Sequence, residues 1–318
     1  MLVALIATSC TNSTTDANDA QFDGEGLPRV EDTTAPLAEP DFALDLTATP
    51  ASEDSSQIVF VLPERRIVSD GGSIREVDNA GNELVLAIVS PLEMGTDPAE
   101  AERFGRIDVG PGRLVLAEVL SANQTTSIVL FSRSVATTIG VGAHPGVDAD
   151  GRFVVFAQSA ADGSLSAVTK RSLDGSVLGE FTAAGPIIDI TIDPTTGQVG
   201  VLHEVGRARG LTIIDATAPA LVERSSVAVS GDAEHIAFVG ENKIALGTWS
   251  NGSAAVSIID IVGGSIVSQA GLDSEIADLD WSASGDVGLV VTVDGAVLWL
   301  AGNATGQLTE SGVAGGRW

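Results

Sequence analysis

The chain has 318 residues, enough for one large domain, and carries 43 acidic against 16 basic side chains for a formal charge of −27. Only two of those basic residues are lysines, Lys170 and Lys243, so little cationic surface exists to displace counterions from a phosphate backbone, and DNA or RNA binding is excluded as a class. One cysteine, no tyrosine and 4% aromatics also exclude a disulfide framework and a thiolate metal cluster, and require an aliphatic core.

At the N-terminus, Leu2 to Ser9 form a short apolar run ending in small residues, and Cys10 follows at once. Such a run is too short to span a bilayer, which takes about 20 residues. Ala7-Thr8-Ser9-Cys10 resembles the lipobox of bacterial lipoproteins. The resemblance implies acylation of Cys10, with residues 1–10 as a truncated signal-like segment whose true start lies further upstream. Acyl chains on one cysteine would hold even an acidic protein at a membrane, since each buried CH₂ contributes about 0.8 kcal/mol. Residues 11–41 are rich in Thr, Asp, Asn, Glu, Gly and Pro and cannot bury enough surface to offset chain ordering, which predicts a disordered acidic tether.

Order is expected from residue 42. Phe42 to Leu46, Ile58 to Leu62, Arg66 to Val68, Ser73 to Asp78 and Glu83 to Val89 read as strands between Pro, Asp-Gly-Gly and Asn-Ala-Gly breaks. Pro91 to Arg103 is an irregular excursion. Beyond it a turn motif recurs: Gly110-Pro-Gly-Arg113, Asp148-Ala-Asp-Gly-Arg152, Asp193-Pro-Thr-Thr-Gly197, Ser230-Gly-Asp-Ala233 and Ser282-Ala-Ser-Gly285. The closing residues Gly112, Gly151, Gly197, Ala233 and Gly285 stand 39, 46, 36 and 52 residues apart, the size of a four-stranded propeller blade. Each turn is preceded by one strand candidate and followed by three. The expectation for 42–318 is an all-β, β-propeller domain of six four-stranded blades, or seven if residues 42–103 hold more than one. A lone blade cannot bury its faces, so the units must stack.

Asp148-Ala-Asp-Gly-Arg-Phe-Val-Val-Phe-Ala and Ser230-Gly-Asp-Ala-Glu-His-Ile-Ala-Phe-Val resemble the repeat signature shared by WD40-like, TolB-type and lactonase-type propellers. The Gly-His and Trp-Asp dipeptides of strict WD40 repeats are missing.

No nucleophile elbow, zincin helix, P-loop or dinucleotide fingerprint is present. Aligning the repeats on their turns puts His144, Asp189, Ser226 and Asp278 at one position, where each inner strand begins. Equivalent positions of a propeller converge on its axis, so these residues make either a solvated polar channel mouth or a site for Ca²⁺ or another hard cation, with Asp189, Asp278 and His144 as the candidate ligands. The turn aspartates Asp148, Asp150, Asp193 and Asp232 read as backbone-binding turn formers. His203 and His235 read as structural, and Trp281 as core. Trp249, in the polar stretch Thr248-Trp-Ser-Asn-Gly, and Ser226 are the candidate partner contacts.

These observations predict a non-catalytic, lipid-anchored, extracytoplasmic module of the cell envelope that binds a protein or a cell-wall glycan. The alternatives are a metal-dependent lactonase-like hydrolase and a carbohydrate-binding module.

Overall fold

A computed structural model describes residues 58–314, without 63–64, 70–71, 79–81, 89–102, 122–124, 133–134, 161, 163, 194, 241, 282–284, 286, 294–296 and 303–307. The lipobox with Cys10, the tether, the Phe42 to Leu46 strand candidate and most of the Pro91 to Arg103 excursion lie outside the described residues.

The described chain is all-β, in five antiparallel sheets whose strands follow one another in sequence order. Sheet I holds β1 (Ile58–Leu62), β2 (Arg65–Ser69), β3 (Ser73–Asp78) and β4 (Glu83–Ile88). Sheet II has seven strands: β5 (Arg103–Gly110), β6 (Leu114–Leu120), β7 (Thr126–Ser132), β8 (Val135–Val147), β9 (Val154–Ser159), β10 (Leu165–Arg171) and β11 (Val177–Thr182). Its continuity depends on the 13-residue β8, which pairs with β7 through Val135–Val141 and with β9 through Gly142–Val147. Sheet III comprises β12 (Ile187–Ile192), β13 (Gln198–Val205), β14 (Ala208–Asp215) and β15 (Val222–Val229). Sheet IV comprises β16 (Ala233–Phe238), β17 (Lys243–Ser250), β18 (Ser253–Asp260) and β19 (Ser265–Leu272). Sheet V comprises β20 (Ile276–Trp281), β21 (Val287–Thr292), β22 (Val297–Gly302) and β23 (Leu308–Ala314).

Sequence pattern separates inner from outer strands. Middle strands read as continuous apolar runs because both of their faces are covered: Leu114-Val-Leu-Ala-Glu-Val is buried at every position. Last strands alternate, as in Val222-Glu-Arg-Ser-Ser-Val-Ala-Val, none of which is fully buried. Apolar layers lie between neighbours in chain order. Ile74 and Ala87 of sheet I meet Phe104, Val115 and Phe131 of sheet II, where the rings of Phe104 and Phe131 pack edge to face at 5.6 Å. Within sheet II, Leu116 and Ile128 face Val154 and Phe156. Val155 and Val168 face Ile190 and Val201 of sheet III, Leu202 and Ile213 face Ile236 and Leu246 of sheet IV, and Val256 and Ile258 face Leu279 and Trp281 of sheet V. Trp281 is core, as its sequence position suggests, with its Nε1 donating to the Gly285 carbonyl at 3.1 Å.

One strand assignment is corrected. The turn motif at Ser230-Gly-Asp-Ala233 predicts an inner strand just before it, over Val227 to Val229, and the polar stretch around Trp249 predicts a loop. Val227–Val229 instead ends β15, the last strand of sheet III, and Trp249 lies in β17. Ser230–Ala233 therefore joins two sheets, and the turn equivalent to those at Asp148 and Asp193 follows Val239. Backbone bonding gives the frame: Asp148 N donates to Phe153 O at 3.0 Å, Asp193 N to Gln198 O at 2.8 Å and Val239 N to Lys243 O at 2.9 Å.

Candidate functional site

Five strands share an irregularity a few residues before the turn that follows them. Register shifts fall between Phe104 and Ile107 in β5, Ala143 and Gly146 in β8, Ile187 and Asp189 in β12, Ala233 and His235 in β16, and Ile276 and Asp278 in β20. A bulge bends a strand and re-aims the side chain beside it. The residues at the bends are Arg106, His144, Asp189, His235 and Asp278, each four positions before the residue that opens the following turn. β1 shifts in the same way between Ile58 and Phe60.

Three of the four predicted positions come together, and what joins them is Arg106. Its Nη1 lies 2.9 Å from His144 Nδ1 and donates to Asp189 Oδ1, while Nη2 donates to Asp278 Oδ1 at 3.0 Å. The same Nδ1 also lies 3.3 Å from Asp189 Oδ1, so the imidazole stands between the guanidinium and the carboxylate. Asp189 is almost completely buried and each of its oxygens is shared with the backbone: Oδ1 accepts from Ile190 N at 2.8 Å, and Oδ2 from Ile236 N of the next sheet at 2.9 Å. Burial alone would raise its pKa, but the charge of Arg106 outweighs it and holds the carboxyl well below the usual range. Burial would conversely lower the pKa of Arg106, and Asp189 and Asp278 raise it instead.

Glu118 supports this centre from β6. Its Oε2 accepts from Arg106 N at 3.1 Å and its Oε1 from His144 N at 2.7 Å. It thereby fixes two of the bulges at once, including His144 at its unusual φ of +55°. His235 stands at the same position in sheet IV and is close enough for its charge to act on Asp189. Its Nε2 faces the Ile276 carbonyl at 3.1 Å, which can only accept, so Nε2 carries the proton.

A second tier of carboxyls lies two residues further along two of these strands. Asp108 accepts from Val147 N at 2.6 Å and Val109 N at 2.7 Å, yet its burial pushes it up to about 6. Asp280 is raised to about 7 by burial, with the neighbouring charges of Asp278 and Asp108 adding to the effect. Asp280 is nonetheless an exposed residue of β20, so solvent screens part of this effect.

Ser226 does not join the centre. It is an exposed residue of β15 whose hydroxyl lies 3.3 Å from that of Thr212, which in turn lies 2.9 Å from Nε2 of the buried His203. The frame slip at Ser230 explains the misplacement, and His235 is the true equivalent. Arg106 was legible in the same alignment, four residues before Gly110. Glu118 gave no such signal, because it sits in a different strand. Two of the turn aspartates bind backbone as expected: Asp193 accepts from Thr195 N at 2.8 Å and Asp148 from Arg152 N at 3.3 Å, whereas Asp150 pairs with the Arg152 side chain at 3.3 Å. Trp249 is partly buried against the layer between sheets IV and V. Among the described residues, no group of three or more His, Cys, Asp and Glu could hold a metal ion.

No family model matches this sequence, and no curated protein does. Among solved structures the fold is similar to a chain of the Kuenenia stuttgartiensis hydrazine synthase, with a TM-score of 0.57, 15% identity and coverage of 75% of this chain and 74% of that one. It is also similar to a chain of a mitotic checkpoint complex, with a TM-score of 0.53, 11% identity and coverage of 79% and 76%. The β-propeller domain of Cps50 (Swd1) from Myceliophteria thermophila gives a TM-score of 0.51, 11% identity and coverage of 73% and 77%. At these identities the likeness is one of fold alone: an all-β chain of several antiparallel sheets in a propeller-like arrangement.

Proposed function

We propose that this chain is a six-bladed, non-catalytic propeller that binds a protein or cell-wall partner in the cell envelope, where a lipid on Cys10 attaches it. The blade count follows if sheet II is read as two four-stranded units sharing β8. The observation that carries the functional reading is the filling of the axis by Arg106. A hard cation needs several free oxygen ligands, and Asp189 and Asp278 are already committed to the guanidinium. This favours a binding module over the lactonase-like alternative. A sugar-binding role through Trp249 is disfavoured by its packing against the layer between sheets IV and V. The extracytoplasmic location rests on the lipobox-like residues and on acidic surface charge suited to solubility rather than to nucleic acid or an anionic bilayer.

Metal analysis of the dialysed full chain, paired with a lactone hydrolysis panel, tests the reading. The expected result is no stoichiometric metal and no turnover. Bound Ca²⁺ that disappears in Asp189→Asn, together with hydrolysis, would overturn it. For the anchor, labelled palmitate should be incorporated by a chain expressed with a complete signal sequence and lost in Cys10→Ser; incorporation that persists in that variant contradicts it.

A further inference from the structure

Most last strands of the sheets carry a charge that discourages edge pairing: Glu83 in β4, Glu180 in β11, Glu223 and Arg224 in β15 and Glu310 in β23. β19 does not. From Ile261 to Leu272 no residue is charged, in a chain of which 19% is charged. β19 is the last strand of its sheet, with β18 as its neighbour there, and although it also touches β23 of sheet V, residues 262–267 are all exposed. Val262 is 79% exposed, Ile266 61% and Val267 42%.

These aliphatic groups are held in place. Asp260 Oδ1 accepts from Val262 N at 2.8 Å and Gly263 N at 3.1 Å, and the Asp260 carbonyl accepts from Gly264 N at 2.8 Å. Val267 is the extra residue of a bulge, between the pairs Ile258↔Ser268 and Ile259↔Ile266. A fixed turn that presents apolar groups spares a partner part of the ordering cost of binding.

We infer that the edge formed by Val262–Leu272 is a docking strip for an extended segment of a partner protein, apolar in its middle and basic at its ends. This deepens the binding-module reading and rests on it. The strip is bracketed by Asp260 and Asp273, so cations at the ends of the partner segment are complemented while aliphatic groups between them cover Val262, Ile266 and Val267. A second copy of the chain fits less well. Antiparallel pairing of two β19 strands sets Asp260 of one copy near Asp273 of the other at both ends, between bodies each of charge −27, and like charges across paired strands are destabilising.

The test is fluorescence anisotropy of the full chain with a labelled extended peptide of Val and Thr flanked by two lysines at each end. Binding is expected to saturate, to weaken about tenfold or more in Ile266→Lys, whose exposed position leaves the fold intact by thermal melting, and to vanish when the flanking lysines become glutamates. Amide exchange of Ser265–Leu272 should slow in the bound state. No saturable binding, or equal affinity in Ile266→Lys, overturns the proposal, as does concentration-dependent dimerisation that is abolished by Ile266→Lys. Crosslinking in intact envelopes separates the two readings. A partner adduct formed equally by wild type and Ile266→Lys would keep the binding module and reject this strip, whereas loss of the adduct in the variant alone supports both.

Discussion

Arg106 is the residue on which the centre depends. Its guanidinium is shared by carboxylates from sheets III and V and an imidazole from β8, so its removal leaves buried Asp189 with two backbone donors and without its strongest counter-charge. Breaking a buried pair from one side costs about 3–5 kcal/mol. Arg106→Met should destabilise the chain by about that much in urea denaturation, with Arg106→Lys intermediate because an ammonium cannot fork to two carboxylates. A loss below about 0.5 kcal/mol, the size of an ordinary surface substitution, would refute this role. The second tier predicts pH dependence of a definite sign. Asp108 and Asp280 are raised to about 6 and about 7, whereas an unfolded Asp titrates near about 3.9. Between these values the folded chain holds protons that the unfolded chain has released, so stability falls as pH rises through that window and levels off above it. Asp189 works oppositely: its contribution is complete above the unfolded value and is lost as pH falls below it. The urea midpoint should therefore be higher at pH 5 than at pH 7.5. Asp280→Asn should raise the midpoint at pH 7.5 and shrink the difference; an unchanged difference in that variant contradicts the assignment. At this scale the sequence revealed His144, Asp189 and Asp278 through register alone. It could not reveal Glu118, whose role follows from a strand pairing and not from a repeated position.

Among the elements, the bulge ahead of each turn is the recurring device, and the glycines around it show how closely the strands approach. A Cβ on Gly142 would run into the Ala157 carbonyl oxygen and the Phe156 ring, whereas one on Gly175 meets nothing within 4 Å. Gly142→Ala should cost about 1–3 kcal/mol or more from overpacking against backbone that cannot yield. Gly175→Ala should cost about 1 kcal/mol, the strain of an L side chain at φ +87°. Thermal melts of the two variants in reverse order would contradict the close packing at β8. The strands themselves were largely legible, because apolar runs and Gly- or Asp-bearing turns mark them. The exception is instructive: Ser230-Gly-Asp-Ala has turn chemistry, but it links β15 to β16, and the turn after Val239 carries no aspartate to announce it. Local turn chemistry shows that the chain reverses there without showing which two strands it joins. The bulges in β11 and β19 were also invisible, since an extra residue in a pairing appears only when the partner strand is in place.

At the level of the whole molecule, successive sheets bury aliphatic layers against one another in chain order, and Arg106 of β5 reaches Asp278 of β20, 172 residues away in sequence. The repeat period made this architecture legible early. Arg106 occupies the same repeat position four residues before Gly110, but its role was not legible, because three converging polar residues suit a metal, water or an internal side chain equally well until the contacts are known. The most direct test of the account is a double-mutant cycle in urea on Arg106→Met and Asp278→Asn. Joined by an ion pair, the two should show a coupling of about 1 kcal/mol or more, within the range found for residues in contact. Additivity to within about 0.3–0.5 kcal/mol, as for independent sites, would contradict a centre in which one guanidinium holds the sheets together.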